Sequence, residues 1–370
     1  KEDQKRYKKK EYHTIISEKL IQALKWFSSY LVGRQQRVSI NGEVSDPHTL
    51  SCGVPQGSVL GPILFNAYTA PLGDVIRQHG LNYHMYADDT QMYIEFEPSV
   101  PSFGTAITKL TDCVADVNKW MTLNKLKNNE AKTEVILFGT RQQLSKVPID
   151  KIDLLDTIIE VSEKVRNLGV VMDSCMTMSS HVASISKCSF YHMRNLFQVR
   201  KCLDKASTEK ATHAFITSRL DYGNSLLYGI SKVHLRKLQA VQNTAAKLVM
   251  RKGKYEHVTP LLYELHWLPV AYRIQFKILM LVYKCLHDLA PTYLSELLSM
   301  QKSARTTRST SALLLHQPRT NLVHGGDRSF SAAAPKLWNS LPIQIRESST
   351  LEMFKTKLKT YLFTMAYGNV

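Results

Sequence analysis

Cysteine is sparse and carries no ligand spacing. The six residues, Cys52, Cys113, Cys175, Cys188, Cys202 and Cys285, are scattered, without a Cys-x-x-Cys pair or a Cys/His cluster. That distribution excludes a zinc site and a disulfide framework and reads as reduced, mostly buried thiols. Long apolar runs are missing too. The stretch Ile274 to Leu286, for example, is interrupted by Lys277 and Lys284, so no spanning helix and no membrane partner are expected. Lys1 to Glu11 is charged and has no apolar core, so no signal peptide is read there. The expected location is intracellular, in nucleus or cytoplasm, and not secreted. There is no phosphate P-loop, no nucleophilic triad, no internal repeat and no low-complexity segment.

Acidic residues are the scarcer charge, 31 against 48 basic ones, which leaves a formal net charge of +17. A polyanionic partner is the expectation, and nucleic acid meets it. With 370 residues, 44% of them hydrophobic, the chain can bury one large core or two modest ones.

Two neighbouring carboxylates stand out in Tyr86-Ala87-Asp88-Asp89, between the β-rich runs Leu81 to Met85 and Thr90 to Phe96. Side chains alternate faces along a strand, so a turn between the runs is what brings adjacent aspartates to one side. Hard oxygen ligands of this kind suit Mg²⁺, which takes one or two carboxylates plus waters and phosphates. Upstream, Gly53-Val54-Pro55-Gln56-Gly57-Ser58 through Phe65 reads as a Gly/Pro loop opening a helix, with Ser58 as its N-cap.

These two stretches resemble motifs B and C of reverse transcriptases, and further matches point to the non-LTR (LINE-type, CR1/L2-like) retrotransposon branch. Trp26 to Leu31 followed by Arg37 to Gly42 resembles the segment before motif B. Asn118 to Met121, through Leu126-Lys127 to Lys132-Thr133-Glu134, resembles motif D. Val165 to Val170 resembles the hairpin after the palm, and Arg328 to Pro342 the end of such element proteins. The resemblance covers nearly the whole chain; the first two dozen or so residues fall outside it.

The fold class this implies is α+β: a right-hand polymerase palm, an antiparallel sheet with packed helices, followed by a mainly α-helical thumb and a C-terminal extension. Four segments are expected. These are a basic N-terminal segment and helix over 1–31, a partial palm over 32–178, a helical thumb over 179–300, and a linker with a C-terminal helical extension over 301–370. Along the chain, periodicity predicts a helix with Ile16, Leu20, Leu24, Phe27 and Leu31 on one face, a strand over Arg37 to Asn41 and a turn at Asn41-Gly42. The helix after motif B is expected to run to about Gln78. Ile107, Leu110, Val114, Val117 and Met121 form a stripe with Trp120 beside it in a core, and Val135 to Phe138 reads as a strand. Val182, Ile185, Tyr191 and Leu196 open the helical part. Its clearest stripe is Leu235, Leu238, Val241, Ala245, Leu248 and Val249. Gln301 to Arg328 reads as a linker or long loop. A last helix starts at Ser349 or Thr350 with Leu351, Phe354, Leu358 and Leu362 on one face.

By resemblance, Asp88 and Asp89 are the catalytic metal ligands, for Mg²⁺ or Mn²⁺, in two-metal nucleotidyl transfer. Tyr86, Ala87, Gln56 and Gly57 line the nucleotide site, where a side chain at position 57 would clash, and Lys132 serves the departing pyrophosphate. Arg236, Lys237, Lys247, Arg251 and Lys252 lie on or just beyond one helix and would contact phosphates. The partners implied are an RNA template, a DNA primer and deoxynucleoside triphosphates; no specific protein partner is readable. His13, His84 and His213 read as ordinary polar residues. The family's motif A, Phe-Asp-x-Val-x-His, does not occur. Counting back from Trp26 reaches Asp3, and aligning on His13 puts Lys9 in the aspartate's place. The expectation is therefore an RNA-directed DNA polymerase fragment inactive alone. The alternative is a non-catalytic nucleic-acid-binding remnant.

Overall fold

The computed structural model describes residues 20–154, 157–301, 313–320 and 325–368. Asp3, Lys9, His13 and Ile16 lie outside these. Two compact units emerge, Lys1–Thr133 with Lys146–Glu160, and Glu134–Ser145 with Val161–Val370.

In the first unit, α1 (residues 20–31) is followed by β1 (Gln35–Gln36), β2 (Ser39–Ile40), β3 (Glu43–Val44) and β4 (His48–Thr49). Asn41 and Gly42 turn β2 into β3 with φ of 52° and 90°, the left-handed pair that an Asn-Gly hairpin uses. The expected strand over Arg37 to Asn41 is thus shortened to β2, Ser39–Ile40, which pairs with β3, while β1, which precedes the expected strand, pairs with β4. The helix expected to reach Gln78 is broken into α2 (Gly61–Thr69) and α3 (Leu72–Gln78). Pro71 lies between them and has no N–H to continue the ladder. Next come β5 (Asn82–Tyr86), β6 (Asp89–Tyr93) and the 24-residue α4 (Val100–Leu123).

α4 buries Phe103, Ala106, Cys113 and Val117. Leu72, Ile76 and Leu81 meet Cys113 and Val117 in one core, with Trp120 packed against it as expected. Each of these aliphatic side chains contributes roughly 1.5–3 kcal/mol by leaving water. Desolvation there pushes the Cys113 thiol up to about 11. On α1 the expected apolar stripe is not buried, as Leu20 and Leu24 are each 60% exposed.

The second unit holds α5 (Arg141–Leu144), started by a reciprocal Thr140–Gln143 capping box. Val135 to Phe138 is not a strand. Val135 makes one isolated parallel bridge to Val161, because the neighbouring segments close on themselves as hairpins. These are β7 (Lys151–Leu154) with β8 (Thr157–Glu160) in the first unit, and β9 (Lys164–Asn167) with β10 (Val170–Asp173) in the second. All five strand pairs among the described residues are two-stranded and antiparallel.

Helices then dominate: α6 (Ser179–Val199), α7 (Lys205–Thr212), α8 (Ser218–Asp221), α9 (Lys232–Val249), α10 (Thr259–Glu264), α11 (Val270–Leu286), α12 (Thr292–Ser295), α13 (Phe330–Asn339), α14 (Ile343–Arg346) and α15 (Leu351–Tyr367). A π-helical turn over His213–Thr217 joins α7 to α8. The α9 stripe is buried as expected except at Leu235, which is half-buried, whereas Tyr191 of α6 points to solvent. Thr350 caps α15 through Met353 N–H, and Phe354, Leu358 and Leu362 enter the core. The segment read as a linker contributes Leu315 and Arg328 to this unit, so its described parts are structural. All six cysteines are free, but only Cys113 and Cys285 are buried.

His181 is buried at the start of α6, where its Nδ1 accepts from Val171 N–H at 3.3 Å and its Nε2 has no partner. Burial, aided by Arg166, holds its pKa below the ordinary 6.5. The unfolded chain therefore binds a proton that the fold does not. The stability this position confers is complete above about pH 6.5 and is lost as pH falls toward the lowered value. Urea titrations at stepped pH are expected to show that decline in the native protein and a shallower one in His181→Asn. Parallel curves would refute it.

Candidate active site

β5 and β6 pair from Asn82 with Tyr93 to Tyr86 with Asp89, leaving Ala87 and Asp88 as the two turn residues. Ala87 takes a φ of 54° to make the reversal. Alternation then sorts the hairpin. Tyr83, Met85 and Met92 pack on the α3 and α4 core, while Tyr86, Ala87, Asp88 and Asp89 are exposed together at the tip. Gly73 of α3 lets this happen, because a Cβ there would overlap the Tyr83 ring. That requirement was invisible in the sequence, where Gly73 stands alone in a helical run. His84 stacks on Tyr93 at 5.5 Å, and His213 lies 5.3 Å from Trp267 with the two rings tilted at 54°.

The Gly/Pro loop is held by side chains from α1 and the residues after it. Tyr30 Oη donates to Ser58 Oγ at 2.6 Å, and Arg34 donates to the Cys52 and Gly53 carbonyls. Sequence reading placed Ser58 as the N-cap of α2; the cap residue is Leu60, and Ser58 Oγ instead accepts from Gly61 N–H at 3.1 Å. Gln56 and Gly57 are the exposed centre of a turn closed by Ser58 N–H to Pro55 O at 3.2 Å.

A Cβ at Gly57 meets no protein atom within 4 Å, so within the chain its φ of 80° is what demands glycine. Gly57→Ala is expected to cost the turn about 1 kcal/mol, the left-handed penalty less the entropy gained in the unfolded chain. The measurement is amide exchange at Ser58, roughly fivefold faster in the variant. Unchanged exchange would mean that the turn does not depend on this glycine.

Lys132 ends a short 3-10 turn, Glu130–Lys132, and is exposed. No hydrogen bond or ion pair among the described residues joins it, or the Gln56–Gly57 turn, to Asp88 or Asp89. As to metal, the two aspartates offer hard, accessible oxygens on one turn, which fits a divalent cation in part. Among the described residues, no group of three or more potential ligands is placed to hold one.

On the second unit Arg236, Lys237 and Lys252 are exposed. Lys247 and Arg251 are engaged at the end of α9, Lys247 on the Lys254 carbonyl and Arg251 on that of Leu203 at 2.5 Å. No helix among the described residues is long and apolar enough to cross a membrane.

Residues 4–172 match the family described as reverse transcriptase (RNA-dependent DNA polymerase). The match begins well before the boundary of two dozen residues drawn from motifs. The chain is 27% identical over 232 residues to the probable RNA-directed DNA polymerase from transposon BS of Drosophila melanogaster, which covers 60% of this chain and 25% of that protein. It is 24% identical over 234 residues to the corresponding protein of transposon X-element from the same organism, covering 60% and 24%. To the RNA-directed DNA polymerase from mobile element jockey of Drosophila funebris it is 25% identical over 242 residues, covering 62% and 25%. The chain spans about a quarter of the length of these curated relatives.

Proposed function

We propose that the chain, whose residues 4–172 match the reverse transcriptase family and which is similar to RNA-directed DNA polymerases of transposable elements, is the palm and thumb portion of an RNA-directed DNA polymerase of a non-LTR, LINE-type retrotransposon. The observation that carries this reading is the exposed Asp88–Asp89 tip on a hairpin whose other face is packed into a core. Asp88 and Asp89 would hold the metal. Bound divalent ions supply activation of the primer 3′-hydroxyl and neutralisation of the departing pyrophosphate. Tyr86 and Ala87 sit beside the carboxylates and would flank the primer end. The Gln56–Gly57 turn presents backbone without side-chain bulk and would border the incoming base pair. Lys132 would offer a proton or a positive charge to the leaving group. Arg236, Lys237 and Lys252 would lie along the duplex backbone. RNA template, DNA primer and deoxynucleoside triphosphates are the substrates of this reading.

The test replaces Mg²⁺ by Fe²⁺ with added hydrogen peroxide and ascorbate: bound Fe²⁺ reduces peroxide to hydroxide and a hydroxyl radical, which cuts the backbone beside the ion, and ascorbate returns the Fe³⁺ to Fe²⁺. Cleavage near residues 86–89 is expected in the native chain and is lost in Asp88→Ala; cleavage indifferent to Asp88 would defeat the assignment. Primer extension is run alongside. No synthesis is expected, because the third carboxylate of the family is not recognisable. Synthesis that Asp88→Ala lacks would mean that an acid outside the described residues, Asp3 first, completes the site. A second reading rests on the exposed cations Arg236, Lys237 and Lys252. It is a binding remnant whose salt-dependent grip on duplex survives Asp88→Ala with no metal-dependent synthesis.

A further inference from the structure

The solvent side of α6 alternates cation and aromatic. Lys187, Phe190, Arg194, Phe197 and Lys201 follow one another at intervals of three and four residues, from within α6 to just past its end. At roughly 100° per residue these five side chains fall within an arc of about 80°, opposite the buried His181, Ile185 and Leu196. Phe190 and Phe197 remain 42% and 43% exposed, and all three cations are exposed. Arg200 adds a fourth positive charge, its guanidinium carbon 5.6 Å from the Phe197 ring centroid. From Ser179 to Leu203 there is no acidic residue. Such a face has no role in the core, which α6 already satisfies from its other side.

We propose that this stripe binds single-stranded nucleic acid, its cations taking phosphates and its two phenylalanines stacking unpaired bases. This deepens the polymerase reading and rests on it for the presence of such a strand. Bases in a duplex are already stacked and present no free face to a ring, so exposed aromatics between cations favour an unpaired strand. The α9 cations, by contrast, have no aromatic neighbours on their helix and suit duplex phosphates. An anionic membrane fits less well, because interfacial helices bury a continuous apolar face, and here Arg194 stands between the stripe's two phenylalanines, with Lys187 and Lys201 flanking them.

Fluorescence anisotropy of a labelled single-stranded RNA with the full chain is the test. Phe190→Ala/Phe197→Ala is expected to weaken binding roughly 30-fold or more while leaving the salt slope unchanged. Lys187→Gln/Arg194→Gln/Lys201→Gln is expected to reduce that slope by about 2. Duplex binding should be spared by the phenylalanine pair. All five positions are exposed, so the thermal unfolding midpoint serves as the folding control. Native-like RNA affinity in the phenylalanine variant would overturn the proposal. So would an equal loss on single strand and duplex, or binding to phosphatidylserine vesicles that the variant abolishes while RNA binding persists. Failure here while Fe²⁺ cleavage near residues 86–89 of the native chain stands would leave the polymerase reading intact, which separates the two outcomes.

Discussion

Trp338→Ala is expected to destabilise the second unit by about 3–5 kcal/mol, enough to unfold a domain of ordinary stability at moderate temperature. Trp338 is 0% exposed in α13, and its ring lies 5.7 Å from that of Phe354. Phe354 stacks in turn on Tyr283 at 4.4 Å, and Tyr283 on His287 at 3.9 Å. Removing the indole opens a cavity against this column and cannot be repaired locally. It also strips the Leu313 carbonyl of the Nε1–H that reaches it at 2.7 Å. Trp338→Phe keeps most of the buried ring and loses the hydrogen bond, so its cost should be roughly 1–3 kcal/mol. Urea unfolding followed by near-ultraviolet circular dichroism measures both. A loss under about 1 kcal/mol for the alanine variant would show that the column does not hold the unit together.

Arg328→Ala should cost about 2–4 kcal/mol, because one side chain serves three carbonyls. Its Nε donates to Tyr228 O at 3.0 Å, Nη1 to Met176 O at 2.7 Å and Nη2 to Leu226 O at 3.4 Å. The aliphatic stem lies over Gly229, where a Cβ would come within 2.7 Å of Arg328 Cγ. Lysine presents a point charge in place of a planar fork and cannot reach three separated acceptors. Arg328→Lys should therefore recover little of the loss in a urea titration, and a lysine variant as stable as the native chain would refute the argument.

What could be read beforehand divides by range. The α9 and α15 stripes and the turns at Asn41-Gly42 and Ala87-Asp88 are local patterns, and each shows a period or a turn signal within a few residues. Arg328 gave no such signal, since its acceptors lie 100 and more residues away. Val135 to Phe138 has the composition of a strand, yet strands need partners, and its neighbours had already paired. Leu20 and Leu24 have the spacing of a buried stripe, and spacing alone does not supply the surface that would cover them. In the candidate site the two carboxylates and the glycine turn were legible as residue types. What Lys247 and Arg251 do was not, because the carbonyls they meet, those of Lys254 and Leu203, lie in non-helical segments whose placement no charge count reveals.

Phe354, Leu358, Leu362 and Tyr367 of α15 join a core whose first members lie near Val170. Tyr367 Oη, moreover, donates to the Trp267 carbonyl at 2.6 Å. During synthesis, at about 5–20 residues per second, the nascent chain thus carries an open apolar surface from the moment α6 leaves the ribosome until α15 has followed it, on the order of ten seconds or more. The first unit's hairpins close long before. Chaperone dependence during translation, and sensitivity to ribosome stalling between α11 and α15, are where that interval would be felt.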